Sequence, residues 1–314
     1  MDMSGLAGLA AQEELEDVQV KRETLSGINM PGFQKGLANS STTFDVASNF
    51  ACAILSDGGI YCWGDNDNYH FGDGTTTDSQ LPTPTTLPVG LTAEHISLGT
   101  NSGNHHCAIL SDSNAYCWGY DYAAGVANPS YTSEPSLVPL DSTVSLVESA
   151  SHHSCAILSN GSVQCWGANH YGQLGIGYTC EFEIGDCGNE GSSGYLETPV
   201  YAALPAGSIA VGLNLWNSNT CVILENTSYY CFGSYWNSPW PVLKKTGIAA
   251  ASGNYLIYSD QTIEFSSYYH NSDGWYESVC TRDVSNTSVT NCHTPNDDVK
   301  FRTIRGTTQY YPWS

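Results

Sequence analysis

Twelve cysteines, nine histidines and 31 carboxylates are the groups in this 314-residue chain that could do chemistry. A thiol can attack, bind metal or cross-link, and spacing decides among these roles. Eight cysteines fall into four pairs ten residues apart: Cys52 and Cys62, Cys107 and Cys117, Cys155 and Cys165, Cys221 and Cys231. No C-x2-C run of the kind that holds zinc occurs. His105-His106 and His152-His153 stand just ahead of a pair's first cysteine, but the thiols that would join them are expected to be bridged. They read as structural rings bonded to a neighbouring carbonyl. Asp65, Asn66, Asp67, Asn68 and Asp73 resemble a calcium loop in composition, yet Thr76 occupies the position where an EF-hand needs glutamate. Calcium held by carboxylates of adjacent loops is the one cofactor left open. G-x-S-x-G, H-E-x-x-H and phosphate-loop motifs are absent, and carboxylates are too plentiful to single out a glycosidase pair. No catalytic, cofactor-binding or metal residue is therefore assigned, and the chain is not expected to be an enzyme.

Composition narrows the partners. With 31 Asp and Glu against 9 Lys and Arg the net charge is -22, and the span from Gly36 to Leu243 has no Lys or Arg at all. Nucleic acid is excluded as a partner, because its affinity is built from cationic contacts to phosphate. No apolar run reaches 18 residues, so membrane insertion by a helix is not expected. Twelve cysteines with only 13% charged residues point to an oxidising environment. The opening MDMSGLAGLAAQEELED lacks the cationic start of a signal peptide. Two readings meet both facts: a mature product, or a protein that leaves its cell by another route, such as release in a virus particle.

The elements that position these residues emerge from an internal repeat. NFACAILSDGGIYCWGDN, NHHCAILSDSNAYCWGYD, HHSCAILSNGSVQCWGAN and SNTCVILENTSYYCFGSY share the pattern C-[AV]-I-L-x6-C-[WF]-G. GNYLIYSDQTIEFSS is a fifth copy in which Tyr255 and Phe265 replace both cysteines together, the joint loss expected of a bonded pair. A sixth start is visible from Val299 to Tyr311. Cys-Ala-Ile-Leu is strand chemistry, Ser-Asp-Gly-Gly is turn chemistry, and the second strand ends in Cys-Trp-Gly. Each unit is a hairpin whose cysteines face each other, which pairs Cys52 with Cys62, Cys107 with Cys117, Cys155 with Cys165 and Cys221 with Cys231. Cys180 with Cys187, in an insertion, and Cys280 with Cys292, in the tail, are paired locally as well. Gly64, Gly119, Gly167 and Gly233 should let the chain turn off the strand while Trp63, Trp118, Trp166 and Phe232 pack between units.

At these residues the chain resembles the RCC1-like β-propeller family, in which a hairpin and Trp-Gly are followed by Asn-x-x-Gly-Gln-Leu-Gly. The third unit matches best, CWGANHYGQLGIG from Cys165 to Gly177; the first keeps CWGDNDNYHFGDG and the second only CWGYDYAAGV. The resemblance covers about residues 40–270. It implies an all-β fold of radial four-stranded blades, six in number with seven as the alternative. The chromatin-binding and nucleotide-exchange role of eukaryotic members is not implied, since the basic surface is missing. Cysteine-paired repeats of this kind look more like those of extracellular microbial and phage proteins.

Residues 1–45 match no repeat and are read as an attachment arm, residues 46–314 as the propeller. The arm and the tail carry the chain's cations, opposite in sign to the acidic propeller, which favours docking to protein subunits of a larger assembly. Five of eight Trp and 11 of 20 Tyr lie beyond residue 200. Among them Tyr235, Trp236, Trp240, Tyr268, Tyr269 and Trp275 are candidate partner-binding residues, for a cell-surface glycan or protein. The function expected is a structural and binding module displayed outside the cell or on a virion surface. The alternative is a secreted monomer acting as a protein inhibitor or lectin.

Overall fold

The computed structural model describes residues 42–99, 105–119, 132–180, 194–252, 255–260, 262–271, 274–283, 291–293, 302–304 and 307–309; from residue 265 onward it describes only the backbone. All of these lie within one compact unit, residues 35–314. The described residues contain strands and turns and no helix.

Each repeat is an antiparallel sheet whose strands are ordered as in the sequence. The first sheet is β1 (Phe44–Val46), β2 (Phe50–Ile54), β3 (Ile60–Gly64) and β4 (Ser79–Pro84). The second is β5 (Ala93–Leu98), β6 (His105–Leu110), β7 (Ala115–Gly119) and β8 (Thr132–Leu137). The third is β9 (Val144–Ser149), β10 (His153–Leu158), β11 (Val163–Ala168) and β12 (Tyr195–Tyr201). The fourth is β13 (Ala210–Trp216), β14 (Asn219–Leu224), β15 (Tyr229–Gly233) and β16 (Ser238–Lys245). The fifth has five strands, β17 (Ile248–Ser252), β18 (Tyr255–Tyr258), β19 (Thr262–Asn271), β20 (Gly274–Asp283) and β21 (Asn291–His293). A two-stranded sheet, β22 (Arg302–Ile304) with β23 (Thr307–Gln309), follows where the sixth repeat begins. Five blades and the start of a further one fit the expected six. β1 starts at Phe44, just ahead of the boundary expected at residue 46, and Thr43 already accepts a hydrogen bond from the Ile54 amide.

The hairpins have the expected register. Cys52 lies opposite Cys62, Cys107 opposite Cys117, Cys155 opposite Cys165 and Cys221 opposite Cys231, each pair bridged, with Cα atoms 4.1, 4.1, 4.0 and 4.1 Å apart. Each bridge closes a short loop and stabilises by roughly 2–3 kcal/mol. Tyr255 and Phe265 occupy the same register position in the fifth sheet. Cys180 is also bridged, while its expected partner Cys187 lies outside the described residues. Cys280 and Cys292 are opposite each other in backbone register, their side chains being outside the description.

Packing occurs between sheets. β6, β10 and β14 are buried along their whole length on both faces, as strands sandwiched between blades must be. One apolar cluster fills each seam from the first sheet to the fifth. A register shift between the second half-cystine and the glycine two residues on leaves the intervening aromatic unpaired. That bulge turns Trp118, Trp166 and Phe232 fully into the seams, whereas Trp63 is half-buried and stacks on Phe44. Gly64 and Gly233 sit at φ +112°, and a Cβ on either would lie 2.3 Å from a carbonyl oxygen. The fourth strands are exposed edges, and Pro82, Pro135, Pro199 and Pro239 interrupt their donors against further pairing.

Candidate functional site

Two loops leave a third strand and cross onto the next blade, and they align without a gap from Cys62 to Gly74 and from Cys165 to Gly177. Each turns on a fully buried asparagine. Asn66 Oδ1 accepts the Phe71 amide at 2.9 Å and Asn169 Oδ1 the Leu174 amide at 3.1 Å. Their amide groups donate to the carbonyls of Thr75 (3.0 Å) and Tyr178 (2.9 Å), which are equivalent positions. The next blade closes each loop in the same way. Gly74 N–H donates to Ser133 O at 3.1 Å, and Gly177 N–H to Pro239 O at 2.9 Å. A Cβ on Gly72 would lie 3.0 Å from the Trp118 ring, and one on Gly175 would lie 2.7 Å from the Phe232 ring.

The outward groups of the two loops differ. The first loop is acidic: Asp65, Asp67 and Asp78 bring carboxylate oxygens within 4.8 Å of one another. Of the expected calcium loop, Asp65 and Asp67 are therefore joined by Asp78, while Asp73 binds Thr75 instead. The Asp67 amide holds the Asp65 carboxyl below its usual range. In the third blade the corresponding outward groups are aromatic. Tyr171 is 56% exposed, Tyr178 50% and Trp240 56%, and the Trp240 indole lies across Gly177, where a Cβ would be 2.3 Å from the ring.

Of the aromatic residues expected from the sequence to meet a partner, Trp240 joins this surface. Tyr235 packs edge-on against Trp236 with centroids 4.6 Å apart, and Trp236 leans into the seam with the fifth blade under the Lys244 ammonium, 4.7 Å away. Tyr268, Tyr269 and Trp275 lie on the β19–β20 hairpin, with side chains outside the described residues. Tyr171 and Tyr178 escaped sequence reasoning, although both flank the glycines of the best-matching motif.

Of the paired histidines, His105, His106 and His153 are spent on the seams, bonding side chains across them where a neighbouring carbonyl was expected. Ser154 directs its hydroxyl proton to Ser149, so His105 Nε2 donates to Ser154 Oγ at 2.8 Å. Thr220 likewise gives its proton to Gln173 O, so His153 Nε2 donates to Thr220 Oγ1 at 2.7 Å. His106 accepts the Gly99 amide on Nδ1 and donates through Nε2 to His70 Nδ1 at 3.0 Å. His95 accepts from the Thr42 amide and donates to Val147 O at 2.9 Å. Every donation crosses between blades. Burial pushes His106 well below its ordinary pKa and His153 down to about 3. A second cross-blade link runs along the first strands: Asp45 accepts the Leu98 amide at 2.8 Å and Ser97 the Ser149 amide at 3.0 Å.

Comparison with known proteins supports the resemblance to RCC1 repeats. Models of the Regulator of chromosome condensation (RCC1) repeat match residues 57–110 and 147–173. The chain carries RCC1-type repeats and folds as an RCC1-like propeller. Human WBSCR16 superposes with a TM-score of 0.59 at 14% identity, covering 74% of this chain and 63% of that one. Yeast RCC1, Prp20, in complex with Kap60, gives 0.54 at 16% identity, over 69% of this chain and 53% of that one. A stretch of 73 residues is 34% identical to the human E3 ubiquitin-protein ligase HERC2, covering 23% of this chain and 1% of the ligase. This RCC1-like propeller thus spans under two thirds of each of these relatives. The four bridged repeats suggest an oxidising environment for it, and no helix among the described residues is long and apolar enough to cross a membrane.

Proposed function

We propose that this propeller is a non-enzymatic binding and structural module displayed outside the cell, an accessory subunit of a phage virion or surface filament attached through residues 1–45. The observation that carries the reading is the set of four cross-strand disulfides, one in each of the first four blades, which suits a self-contained domain in an oxidising medium. The histidines that could have served chemistry are neutral and bonded across seams, which supports a binding role over a catalytic one. The acidic, cation-free span disfavours nucleic acid, and RCC1 relatives engage proteins: Prp20 binds Kap60. The alternative, a secreted monomeric inhibitor or lectin, differs in assembly state. Deleting residues 1–38 leaves Thr42 and Thr43 and their bonds to the blades in place. The truncated chain should remain soluble and protease-resistant but sediment apart from the particle that holds the full chain. Normal assembly of the truncated chain would favour the secreted monomer.

A further inference from the structure

The third-blade loop has an outward surface that its fold does not require. Trp240, Leu81, Glu134 and Thr198 occupy one position in the first four fourth strands, two residues before the partner of the second half-cystine. A leucine, a glutamate and a threonine fill this position elsewhere, so packing does not demand an indole. Tyr178 and Tyr171 likewise stand where the first loop has Thr75 and Asn68. The Trp240 ring and the backbone that carries both tyrosines are nevertheless fixed. Trp240 lies flat over Gly177, Tyr178 follows that glycine and has its carbonyl held by Asn169, and Tyr171 precedes Gly172, on which Pro239 rests. The loop lacks three of its twin's carboxylates, with Ala168, His170 and Ile176 in place of Asp65, Asp67 and Asp73, although Glu181 stands at the position of Asp78; on the next blade Trp240 takes the place of Glu134.

We propose that Tyr171, Tyr178 and Trp240 form a binding platform for neutral carbohydrate. Preordered rings with one face in solvent lose little entropy when the C–H face of a sugar stacks on them. An anionic glycan is disfavoured by a net charge of -22 and by the absence of any cation between Gly36 and Leu243. A basic protein would be drawn instead to the first loop, where Asp65, Asp67 and Asp78 converge. The proposal rests on the chain being a displayed binding module but not on its mode of attachment.

The full chain is titrated calorimetrically with cellohexaose, chitohexaose and maltoheptaose and passed over an array of immobilised neutral glycans. Retention of at least one neutral glycan is expected, weakened roughly tenfold or more by Trp240→Glu and less by Tyr178→Thr, with unchanged melting temperatures because each variant carries its twin's residue. Failure of every neutral glycan to bind, or binding that Trp240→Glu leaves intact, overturns it. So does a concentration-dependent dimer abolished by Trp240→Glu, which would make the patch a contact between copies. None of these outcomes bears on whether truncation of residues 1–38 releases the chain from its assembly, so the two readings fail separately.

Discussion

The loops Asp65–Gly74 and Ala168–Gly177 share a backbone skeleton and differ most in charge where they meet solvent. Their asparagine pivots, glycine contacts and inter-blade amide bonds coincide position by position, while one presents carboxylates and the other aromatic rings. The buried half of such a repeat is constrained by the neighbouring blade, so it tolerates few residue types. The outward half is free to vary, and there one blade can acquire chemistry that the others lack. Surface chemistry in this propeller is therefore a property of individual loops and not of the repeat.

The largest expected effect falls on both regions at once. The seams under both loops depend on neutral histidines: His70 and His106 in the first, His153 in the third. Their folded pKa values lie below the unfolded value of about 6.5. The unfolded chain therefore takes up more protons as pH falls, and stability present above pH 6.5 is lost on acidification towards 3. Each unit of downward shift is worth about 1.4 kcal/mol, so His153 alone could cost on the order of 4 kcal/mol across that range. Denaturant midpoints measured between pH 8 and 4 should fall steeply. His153→Gln, which retains a donor towards Thr220, should flatten the slope; an unchanged slope would show that the seam is not what titrates.

The pivots come next. Asn66→Ala and Asn169→Ala each strand one buried backbone amide and one partly buried carbonyl and should destabilise by about 2–3 kcal/mol, read from urea unfolding. Equal costs support a common skeleton. A cost at only one would mean that the loops merely look alike.

What the sequence disclosed follows the same division. Hairpins, bridges, bulge glycines and seam aromatics were legible because each is set by spacing within one repeat. The seam histidines were not. They act through residues 36 to 67 positions away: His105 with Ser154 and His153 with Thr220 pair the position two before a first cysteine with the position one before it in the next blade, while His106 meets His70 of the preceding loop. Aligning repeats on themselves shows what recurs, but not that His105 faces Ser154 or that Phe50 in the first blade packs its ring on His106 instead. Tyr171 and Tyr178 were hidden for the opposite reason. They lie at variable positions inside a recognisable motif, and only the three-dimensional overlay of the loops shows that packing leaves those positions free.

A smaller, asymmetric effect separates the loops at the residue before the histidine or glutamine. Tyr69 holds φ +59°, a conformation that Gly172 adopts in its twin at φ +76°. Tyr69→Gly should be neutral or stabilise by up to about 1 kcal/mol, because it relieves left-handed strain at a small entropic cost. Gly172→Ala should instead destabilise by about 2–3 kcal/mol, since its Cβ would lie 2.3 Å from Pro239 Cα. Thermal unfolding of the two variants should move in different directions or leave only the second affected. Equal losses would place the strain elsewhere.

The smallest expected effect tests the division most sharply. Glu134 stands beside Gly74, its oxygen 3.3 Å from where a Cβ would be, just as Trp240 stands over Gly177. If outward positions are free of the fold, exchanging these two residues should alter stability by no more than about 1 kcal/mol at either site. Glu134→Trp adds apolar area over a glycine already shaped to receive a ring, which offsets the loss of a solvated carboxylate. Trp240→Glu removes an indole that is 56% exposed, so it forfeits about half of the burial an interior tryptophan would contribute. A melting temperature that drops by several degrees for Trp240→Glu alone would show that the indole supports the fourth blade, making it part of the buried skeleton and not of the variable surface.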